Sequence, residues 1–386
     1  MKKIIIVNNN LNIGGIQISL INLLKELNAL YDVTLLLFHA DKQDMDKLPE
    51  NIKVMIISSP FMYFGMSSDD VAKSFSLFIG RSFWAAITKI FGRSFATRLM
   101  ALFQKKIKGY DCAVSYLHEG PQKSFYGGCN EFVLKKIDAK QKITWVHCDF
   151  ELCGANNSKS KKIYEKFDWI VACSDGAKES FLRCLPELKD KCVSVRNCND
   201  YELIREKALP AMKYDTNCFN VVTVARLSGE KGIDRMIHAV AKAKETGYKM
   251  KYHIVGDGQE ESALRKLVTD LDLKDDVFFY GNQSNPYPYI MSADLFVLPS
   301  YHEAAPMVFD ESASLGVPVL ATKTTSTDEM IIKENAGYVC ENSQEGITQA
   351  LLSILSDKSQ LIAIAENLKK RTFSNQGSID AVVRLF

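Results

Sequence analysis

The sequence lacks the long apolar runs and the one-sided overall charge that mark membrane-spanning and nucleic-acid-binding proteins. No uninterrupted apolar run reaches the roughly 18 residues that a transmembrane helix needs. Only four apolar residues separate Lys3 from Asn8, too few for a signal peptide. The 386 residues carry a formal net charge of only +2, which gives no overall attraction to nucleic acid. These absences predict a cytoplasmic protein without a membrane-spanning helix and without a nucleic-acid partner.

Metal-binding and dinucleotide-binding patterns are also missing. The ten cysteines are scattered and none forms a Cys-x2-Cys pair, so we expect reduced, buried thiols. Asp44-Met45-Asp46 and Asp270-Leu271-Asp272 are the only Asp-x-Asp pairs. The first lies in a polar loop and the second near a predicted helix end, so neither predicts a metal site. The dinucleotide fingerprint Gly-x-Gly-x-x-Gly is absent.

What the sequence does contain is a regular alternation of buried-strand and helix patterns in both halves. The apolar runs at 4–7 and 221–225 are each followed by an amphipathic helix pattern. A chain of this length suggests two or three domains, and the alternation predicts an α/β fold with two parallel-sheet domains. The domains are predicted at 1–200 and 218–372. A charged, proline-containing linker at 201–217 would join them, and a final helix at 373–386 could return to the first domain.

Two carboxylates flank a predicted helix start near residue 306. An apolar strand pattern at 294–298 leads into a short loop with Glu303. Pro306 fits the first position of a helix, because its missing N–H would have no partner there. Glu311 follows within that helix. Ligands bind at the carboxyl edge of parallel sheets, and a helix N-terminus favours anions. The pair therefore marks a candidate ligand site, with two solvated surface carboxylates as the alternative.

Glycine-containing turns between a strand and a helix occur twice. Gly14-Gly15 follows the strand pattern at 4–7, so backbone N–H groups there could approach a phosphate; a plain tight turn is the alternative. The second turn places Arg226 and Lys231 just before Gly232 at a helix start. An arginine fork and a lysine point charge suit a diphosphate, whereas the alternative is a solvated basic loop.

Two histidines directly follow predicted strands, where a side chain lies at the ligand edge of a sheet rather than in the core. His147 follows the strand pattern at 142–146 and is the candidate catalytic histidine. His118 follows the pattern at 111–116 and is the second choice. Isolated histidines are usually structural, and this is the prediction for His39, His238 and His253.

Residues 71–110, the basic amphipathic segment, contain no Asp or Glu. Aromatic and aliphatic residues recur there at helical spacing, which together with one-sided charge is typical of a helix lying on a membrane surface. An ordinary helix packed on the core with a basic outer face is the alternative. The cations predicted to face an anionic membrane are Arg81, Lys89, Arg93, Arg98, Lys105, Lys106 and Lys108.

These motifs together resemble those of a known enzyme family. Glu303 and Glu311, followed by Gly316-Val317-Pro318-Val319, are similar to the Glu-x7-Glu motif of retaining nucleotide-sugar glycosyltransferases of family 4. The turn from Arg226 to Gly232 is similar to the Arg-Leu-x-x-x-Lys-Gly motif of that family. The resemblance covers nearly the whole chain, strongest over 221–321 and weakest over 60–140. It implies the GT-B architecture, in which two Rossmann-like parallel-sheet domains face each other.

The resemblance also implies a role for each site residue. Glu303 would contact the donor sugar, Glu311 the ribose hydroxyls and His147 the transferred sugar. Arg226 and Lys231 would stabilise charge on the leaving diphosphate, which itself takes the acceptor proton, so no protein nucleophile is required. Further donor-binding residues are implied at Gly14, Gly15, Gly256, Asn282, Ala305, Pro306, Met307 and Val308. Ala304-Ala305 and Cys198 stand where the family often has glycine.

The function implied is that of a retaining, hexosyltransferase-type glycosyltransferase that needs neither a metal nor a cofactor. Its donor would be a UDP- or GDP-linked sugar, and its acceptor a lipid-linked or glycan acceptor in bacterial surface polysaccharide or capsule synthesis. The protein would lie at the inner face of the cell membrane. A nucleotide-sugar-binding partner subunit with little catalysis is one alternative. A phosphorolytic or sugar-isomerising enzyme on the same fold is another.

Overall fold

The computed structural model describes residues 1–12 and 14–386 and divides into two compact units. The first unit comprises Met1–Cys198 together with Asn375–Phe386, and the second comprises Asn199–Ser374. The chain therefore leaves the first unit once and returns to it after the second unit is complete.

Thirteen strands and sixteen α-helices, numbered in chain order, form the two units within the described residues. The strands are β1 Lys3–Asn8, β2 Asp32–Leu37, β3 Lys53–Ile56, β4 Ile107–Ser115, β5 Ile137–Val146, β6 Trp169–Ala172, β7 Cys192–Ser194, β8 Phe219–Val224, β9 Met250–Val255, β10 Val277–Phe279, β11 Leu295–Leu298, β12 Val319–Thr322 and β13 Gly337–Cys340.

Helical segments separate consecutive strands, as parallel sheets require, and the last three helices follow β13. The helices are α1 Gly15–Asn28, α2 Lys42–Met45, α3 Ser68–Ala72, α4 Phe75–Phe91, α5 Arg93–Met100, α6 Cys129–Lys136, α7 Ser158–Tyr164, α8 Asp175–Cys184, α9 Tyr201–Lys207, α10 Ile233–Glu245, α11 Glu261–Asp270, α12 Tyr287–Met291, α13 Met307–Ser314, α14 Gln344–Ser356, α15 Ser359–Lys370 and α16 Gln376–Val383. Across the part of the chain that the structure describes, none of them combines the length and apolar character needed to cross a membrane.

Each unit contains one parallel sheet in which the strand order reverses. The first sheet has the order β3-β2-β1-β4-β5-β6-β7, and the second has the order β10-β9-β8-β11-β12-β13. The reversal lies between β1 and β4 in the first unit and between β8 and β11 in the second, and ligands of open α/β sheets bind at the carboxyl edge of such a reversal. The predicted fold class, two parallel-sheet α/β domains, is confirmed.

The strands are buried on both faces, which explains their continuous apolar runs. Ile4 and Ile6 of β1 belong to one core cluster, and Ile5 and Val7 to the cluster on the other face of the sheet, because successive side chains of a strand point to opposite faces. The C-terminal helix α16 contributes Ile379 to the same cluster as Ile4. Residues 375–386 are therefore part of the core of the first unit.

The structure differs from the sequence predictions in two elements and contains one strand, β13, that the sequence analysis does not predict. This strand pairs with β12 in parallel register. The predicted linker at 201–217 contains α9, which is capped by the Asp200 side chain accepting from Leu203 N at 3.1 Å. The basic amphipathic segment is not one helix but α4 and α5, separated at Gly92, which has a φ of +88°.

Candidate active site

The candidate donor site centres on an ion pair between two loops of the second unit. Lys231 Nζ, in the turn after β8, lies 2.7 Å from Glu303 Oε1, in the loop after β11. Ser300 Oγ donates to the same carboxylate oxygen at 2.7 Å. Only 20% of the Lys231 side chain and 11% of the Glu303 side chain are exposed. Because β8 and β11 are neighbours where the strand order reverses, the loops that follow them meet at the ligand edge.

Further contacts hold these two loops together. Gly232 has a φ of +59°, and a Cβ there would lie 2.3 Å from the Pro299 carbonyl oxygen, so only glycine fits. Tyr301 N donates to Glu230 O at 2.8 Å. The Arg235 guanidinium donates to the Pro299 carbonyl, and its Cζ lies 3.7 Å from the Tyr301 ring centroid. Arg235 could not be predicted from the sequence, because a basic residue in the first turn of a helix carries no motif signal.

Glu311 lies on α13 and is buried, with 5% of its surface exposed. Burial raises the pKa of its carboxyl to about 7, and the neighbouring charge of Asp310 adds to the shift. No described residue donates a hydrogen bond to this carboxylate. A buried carboxylate without donors is costly when ionised, so the hydroxyl groups of a ligand would be favourable partners. The alternative of two solvated surface carboxylates is wrong for Glu303 and Glu311 alike.

The helix that carries Glu311 begins one residue later than predicted. Met307 is its first residue and Pro306, with a φ of −69°, is the N-cap. No side chain caps this N-terminus, so its first turn keeps the partial positive charge that favours anions. Of the predicted donor-binding residues here, Met307 is buried, whereas Ala305 and Val308 are half-buried.

The other donor-side residues lie in the loops after β8, β9 and β10. Arg226 and Asn282 are exposed loop residues. Gly256 has a φ of +140°, and a Cβ there would lie 1.9 Å from Ala225 O. Its N–H donates to Gly281 O at 2.8 Å. The need for glycine at 256 is therefore explained by the close packing of these loops on one another.

Gly14 and Gly15 lie where predicted, at the start of α1 and after β1. Gly14 is the N-cap in an extended conformation, with a φ of −177°, which any residue can adopt. A Cβ at Gly15 would meet nothing within 4 Å. The fold itself does not require glycine at 15, and the space above the backbone there is open to a ligand.

His147 and His118 lie at the carboxyl ends of β5 and β4, which are neighbours in the first sheet. Burial lowers the pKa of His147 to about 3 and that of His118 to about 4, with further lowering from the charges of His118 and Arg93 respectively. His147 Nε2 and His118 Nδ1 are buried without a partner among the described residues. The His147 ring also packs against Tyr116, with centroids 4.6 Å apart. Both imidazoles are therefore neutral at physiological pH.

The prediction that His253 is structural is confirmed. Its Nδ1 lies 3.0 Å from the Tyr280 hydroxyl and its Nε2 lies 3.1 Å from Asn220 Oδ1. The ring stacks on Tyr214 with centroids 3.7 Å apart. All ten cysteines are free thiols, as predicted, but only five of them are buried, namely Cys112, Cys129, Cys173, Cys192 and Cys198, and the other five are partly buried.

One cation of the predicted membrane face is not on it, and a second is only partly exposed. Arg93 is fully buried and forms an ion pair with Glu119, so its assignment to that face is wrong. Arg81 is half-buried, and its Cζ lies 5.6 Å from the Phe125 ring centroid. The remaining five predicted cations are exposed, namely Lys89, Arg98, Lys105, Lys106 and Lys108.

The same segment exposes an unusual amount of apolar surface. Trp84 points into the core and is 8% exposed. Large apolar side chains exposed elsewhere along α4, α5 and the short helix Ala101–Phe103 are Phe75, Phe78, Ile79, Phe83, Ile90, Phe91, Phe95, Leu102 and Phe103. Contiguous exposed apolar residues mark interaction surfaces. We call these nine residues and the five exposed cations the apolar-basic face.

Among the described residues, the Asp-x-Asp pairs are occupied by local ion pairs: Asp44 binds a lysine at 2.8 Å and Asp270 another at 3.0 Å. His39, Asp41 and Asp70 form one group whose potential ligand atoms lie within 4.8 Å of one another. A nearby lysine already pairs with both of these carboxylates, at 2.9 and 3.5 Å. The group is explained as an ion-pair cluster.

Comparison with known proteins gives a consistent result. Residues 206–371 match the model of the family described as "Glycosyl transferases group 1". The lipopolysaccharide core biosynthesis glycosyltransferase LpsE of Rhizobium meliloti is 31% identical over 169 residues, 43% of this chain and 48% of the relative. An N-acetylgalactosaminyltransferase of Campylobacter jejuni, whose name specifies a diphospho-undecaprenol-linked acceptor, is 27% identical over 211 residues, 54% of this chain and 56% of the relative.

The solved structures extend the likeness to the whole fold. HepE of Anabaena in complex with UDP-glucose superposes with a TM-score of 0.70 at 16% identity, covering 100% of this chain and 99% of HepE. The chain spans about half the length of the curated relatives it matches. The fold is GT-B, and the family match over the second unit together with this fold supports a glycosyltransferase.

Proposed function

We propose that this protein is a retaining, hexosyltransferase-type glycosyltransferase of family 4. It takes a UDP- or GDP-linked sugar as donor and transfers the sugar to a lipid-linked or glycan acceptor in the synthesis of a bacterial surface polysaccharide. The observation that carries the proposal is the Lys231–Glu303 ion pair, 2.7 Å long, at the carboxyl edge of the second sheet. A nucleotide-diphosphate sugar needs a cation for its diphosphate and a carboxylate for its sugar hydroxyls at such an edge.

Donor binding exchanges one partner of this ion pair for another. Without donor, Lys231 and Ser300 both hold Glu303 Oε1. An arriving diphosphate is the stronger partner for Lys231, because it brings more negative charge than a single carboxylate. Glu303, still positioned by Ser300, then accepts from the sugar hydroxyls, and Glu311 accepts from the ribose hydroxyls at a position where the protein supplies no donor.

The chemical step rests on charge stabilisation rather than on a protein nucleophile. Negative charge grows on the diphosphate as the glycosidic bond breaks, and Arg226, Lys231 and the N-terminus of α13 stabilise it. Because the pKa of His147 is about 3, its neutral imidazole does not take up a second proton near neutral pH and is a poor general base. This supports the leaving phosphate as the group that takes the proton of the acceptor hydroxyl.

A membrane location and a lipid-linked acceptor are supported by separate observations. The apolar-basic face combines nine exposed apolar side chains with five exposed cations, the chemistry that binds anionic lipid headgroups and their interface. The Campylobacter relative is named for an acceptor linked to diphospho-undecaprenol. We propose peripheral binding of this face to the inner surface of the cell membrane, where such acceptors are presented.

A single assay tests the proposal. Purified protein is incubated with UDP- and GDP-sugars and with membrane lipid extract, products are identified by mass spectrometry, and the anomeric configuration is read by NMR. Transfer with retained configuration is expected. Donor binding without transfer to any acceptor would favour a nucleotide-sugar-binding partner subunit. Turnover that needs only free sugar and inorganic phosphate would favour the phosphorolytic alternative.

A further inference from the structure

Arg93 is a buried cation in the helix that otherwise forms the apolar-basic face. It is the first residue of α5 and is 0% exposed. Its guanidinium donates to the Glu119 carboxylate, to Tyr126 O at 2.9 Å and to Gly120 O at 3.3 Å. Burying a guanidinium is costly unless charges and acceptors compensate it. Glu131 of α6 supplies a second carboxylate, 3.7 Å from Arg93 Nε, and one segment supplies all the other partners. That segment, residues 118–128, is called the His118 loop.

The His118 loop also caps the N-terminus of α5. Arg93 N donates to Gln122 O at 2.7 Å, and Ser94 Oγ donates to Gln122 Oε1 at 2.9 Å. Phe125 of the loop lies against Arg81 of α4 and packs on Phe64 at 4.8 Å between centroids. The His118 loop therefore contacts both helices of the apolar-basic face.

At its other end the His118 loop is bonded to the strands that carry the candidate histidines. Glu119 follows His118 directly, and its Oε1 accepts from Asn130 Nδ2 at 3.0 Å. Asn130 Oδ1 in turn accepts from Thr144 Oγ1 at 2.7 Å, on the strand that leads to His147. All three of these linking side chains are buried. A continuous polar network thus runs from Arg93 to the ends of β4 and β5.

Arg93 lies between an exposed ring at the end of α4 and another in the first turn of α5. Phe91 and Phe95 flank Arg93 in the sequence, are 57% and 40% exposed, and pack on each other at 5.1 Å between centroids. Insertion of these two rings into a lipid interface would therefore act on the start of α5, whose buried side binds the His118 loop.

We infer that Arg93 is a positioning residue that couples the apolar-basic face to the His118 loop, so that docking on anionic lipid orders the acceptor-side edge with His118 and His147. The inference rests on the membrane binding proposed above. In this inference, lipid binds more tightly when α4 and α5 are packed against the His118 loop than when they are not. A ligand shifts a conformational equilibrium only through such a difference in affinity. Because Arg93 and Glu119 join the loop to α5, the packed arrangement also fixes the loop.

Hydrogen–deuterium exchange of the full chain with lipid vesicles tests this coupling. In the wild type, phosphatidylglycerol vesicles should slow hydrogen exchange in residues 75–103. They should also slow exchange in residues 118–128, at least threefold. Phosphatidylcholine vesicles should have neither effect. Arg93→Lys keeps the positive charge but loses the several N–H donors of the guanidinium. Glu119→Gln keeps the size of the side chain but loses the negative charge. In both variants residues 75–103 should still be protected, while the response of residues 118–128 is lost. Arg98→Lys, an exposed arginine on the same helix, is the matched control and should keep both responses.

Each outcome decides between the inference and its premise. If vesicles do not protect residues 75–103 of the wild type from exchange, the proposed membrane binding is wrong. Protection of 75–103 without any change in 118–128 in the wild type would overturn the coupling and leave the membrane binding standing. Nucleotide affinity, a property of the second unit, should be unchanged in every variant. If Arg93→Lys does not fold, Glu119→Gln and the wild-type response still decide the question.

Discussion

Lys231 and Glu303 are 72 positions apart in the chain and 2.7 Å apart in the structure. The fold itself places the cation for a diphosphate beside the carboxylate for a sugar, and the two charges neutralise each other. Such an arrangement keeps two partly buried charges compensated until the donor arrives.

Replacing Lys231 or Arg226 by alanine should lower turnover about 10²–10³-fold, the loss typical of one contact to developing negative charge. Steady-state kinetics with a saturating donor measure it. Lys266→Ala, which removes an exposed cation of the same unit from α11, should keep wild-type turnover. Near-normal turnover in both site variants, with thermal unfolding unchanged, would discard the diphosphate assignment.

Glu303→Gln should slow transfer much more than it weakens nucleotide binding. The amide still accepts from Ser300 but no longer compensates Lys231 or accepts as strongly from sugar hydroxyls. Calorimetry with UDP or GDP and kinetics with the full donor separate the two effects. A loss of nucleotide affinity with turnover unchanged would contradict the sugar role.

Donor affinity should rise with pH through the pKa of about 7 that burial gives Glu311. Ribose hydroxyls donate to the ionised carboxylate, which is the minor form below this pKa, so affinity is lost as the pH falls. Between pH 8 and pH 6 the dissociation constant should increase about tenfold. A nucleotide sugar is the suitable probe, since its diphosphate does not titrate near neutrality. Glu311→Gln should bind more weakly at pH 8 and flatten the profile; a wild-type slope that persists in this variant would place the titrating group elsewhere.

Reversing three exposed charges of the apolar-basic face should release the protein from anionic vesicles. Lys89, Arg98 and Lys105 changed to Glu remove about 1 kcal/mol of attraction each, so vesicle binding should fall more than about a hundredfold. The difference should be largest at low ionic strength. Lys162, Lys166 and Lys189, exposed lysines of the same unit outside this face, changed to Glu are the matched control. Equal flotation of both triple variants would mean that only overall charge matters.

Transfer should proceed without added divalent metal, because Arg226, Lys231 and a helix N-terminus are available to neutralise the diphosphate. The measurement is the initial rate in excess chelator, compared with the rate after readdition of magnesium or manganese. Complete loss in chelator with full recovery on readdition would show that a metal carries part of this charge.

The sheets were predictable because their strands are buried on both faces and appear as short continuous apolar runs. The strand pattern at 294–298 and β11 Leu295–Leu298 differ by one residue. β13 was missed because its four residues, beginning with Gly337, are only half-buried and give no apolar run. The loop residues Lys231 and Glu303 were predicted from their motifs. A motif specifies the residue types, but it does not indicate that these two side chains form an ion pair with each other.

What the sequence could not reveal depends on contacts between distant segments. Arg93 lies in a stretch without any carboxylate, and its partner Glu119 is 26 positions away, so the local pattern indicated an exposed cation. Glu311 likewise has the sequence surroundings of a surface helix, and its raised pKa arises from burial against other elements. Burial of charge is a tertiary property, whereas periodicity reports only local structure.

The return of the chain to the first unit has a consequence for synthesis on the ribosome. The second unit is continuous from Asn199 to Ser374, so it can complete its core as soon as that stretch has emerged. The first unit, although its residues are made first, lacks Ile379 and Val382 of its core until residues 375–386 follow. The core of the first unit can therefore be completed only after the whole second unit has been synthesised.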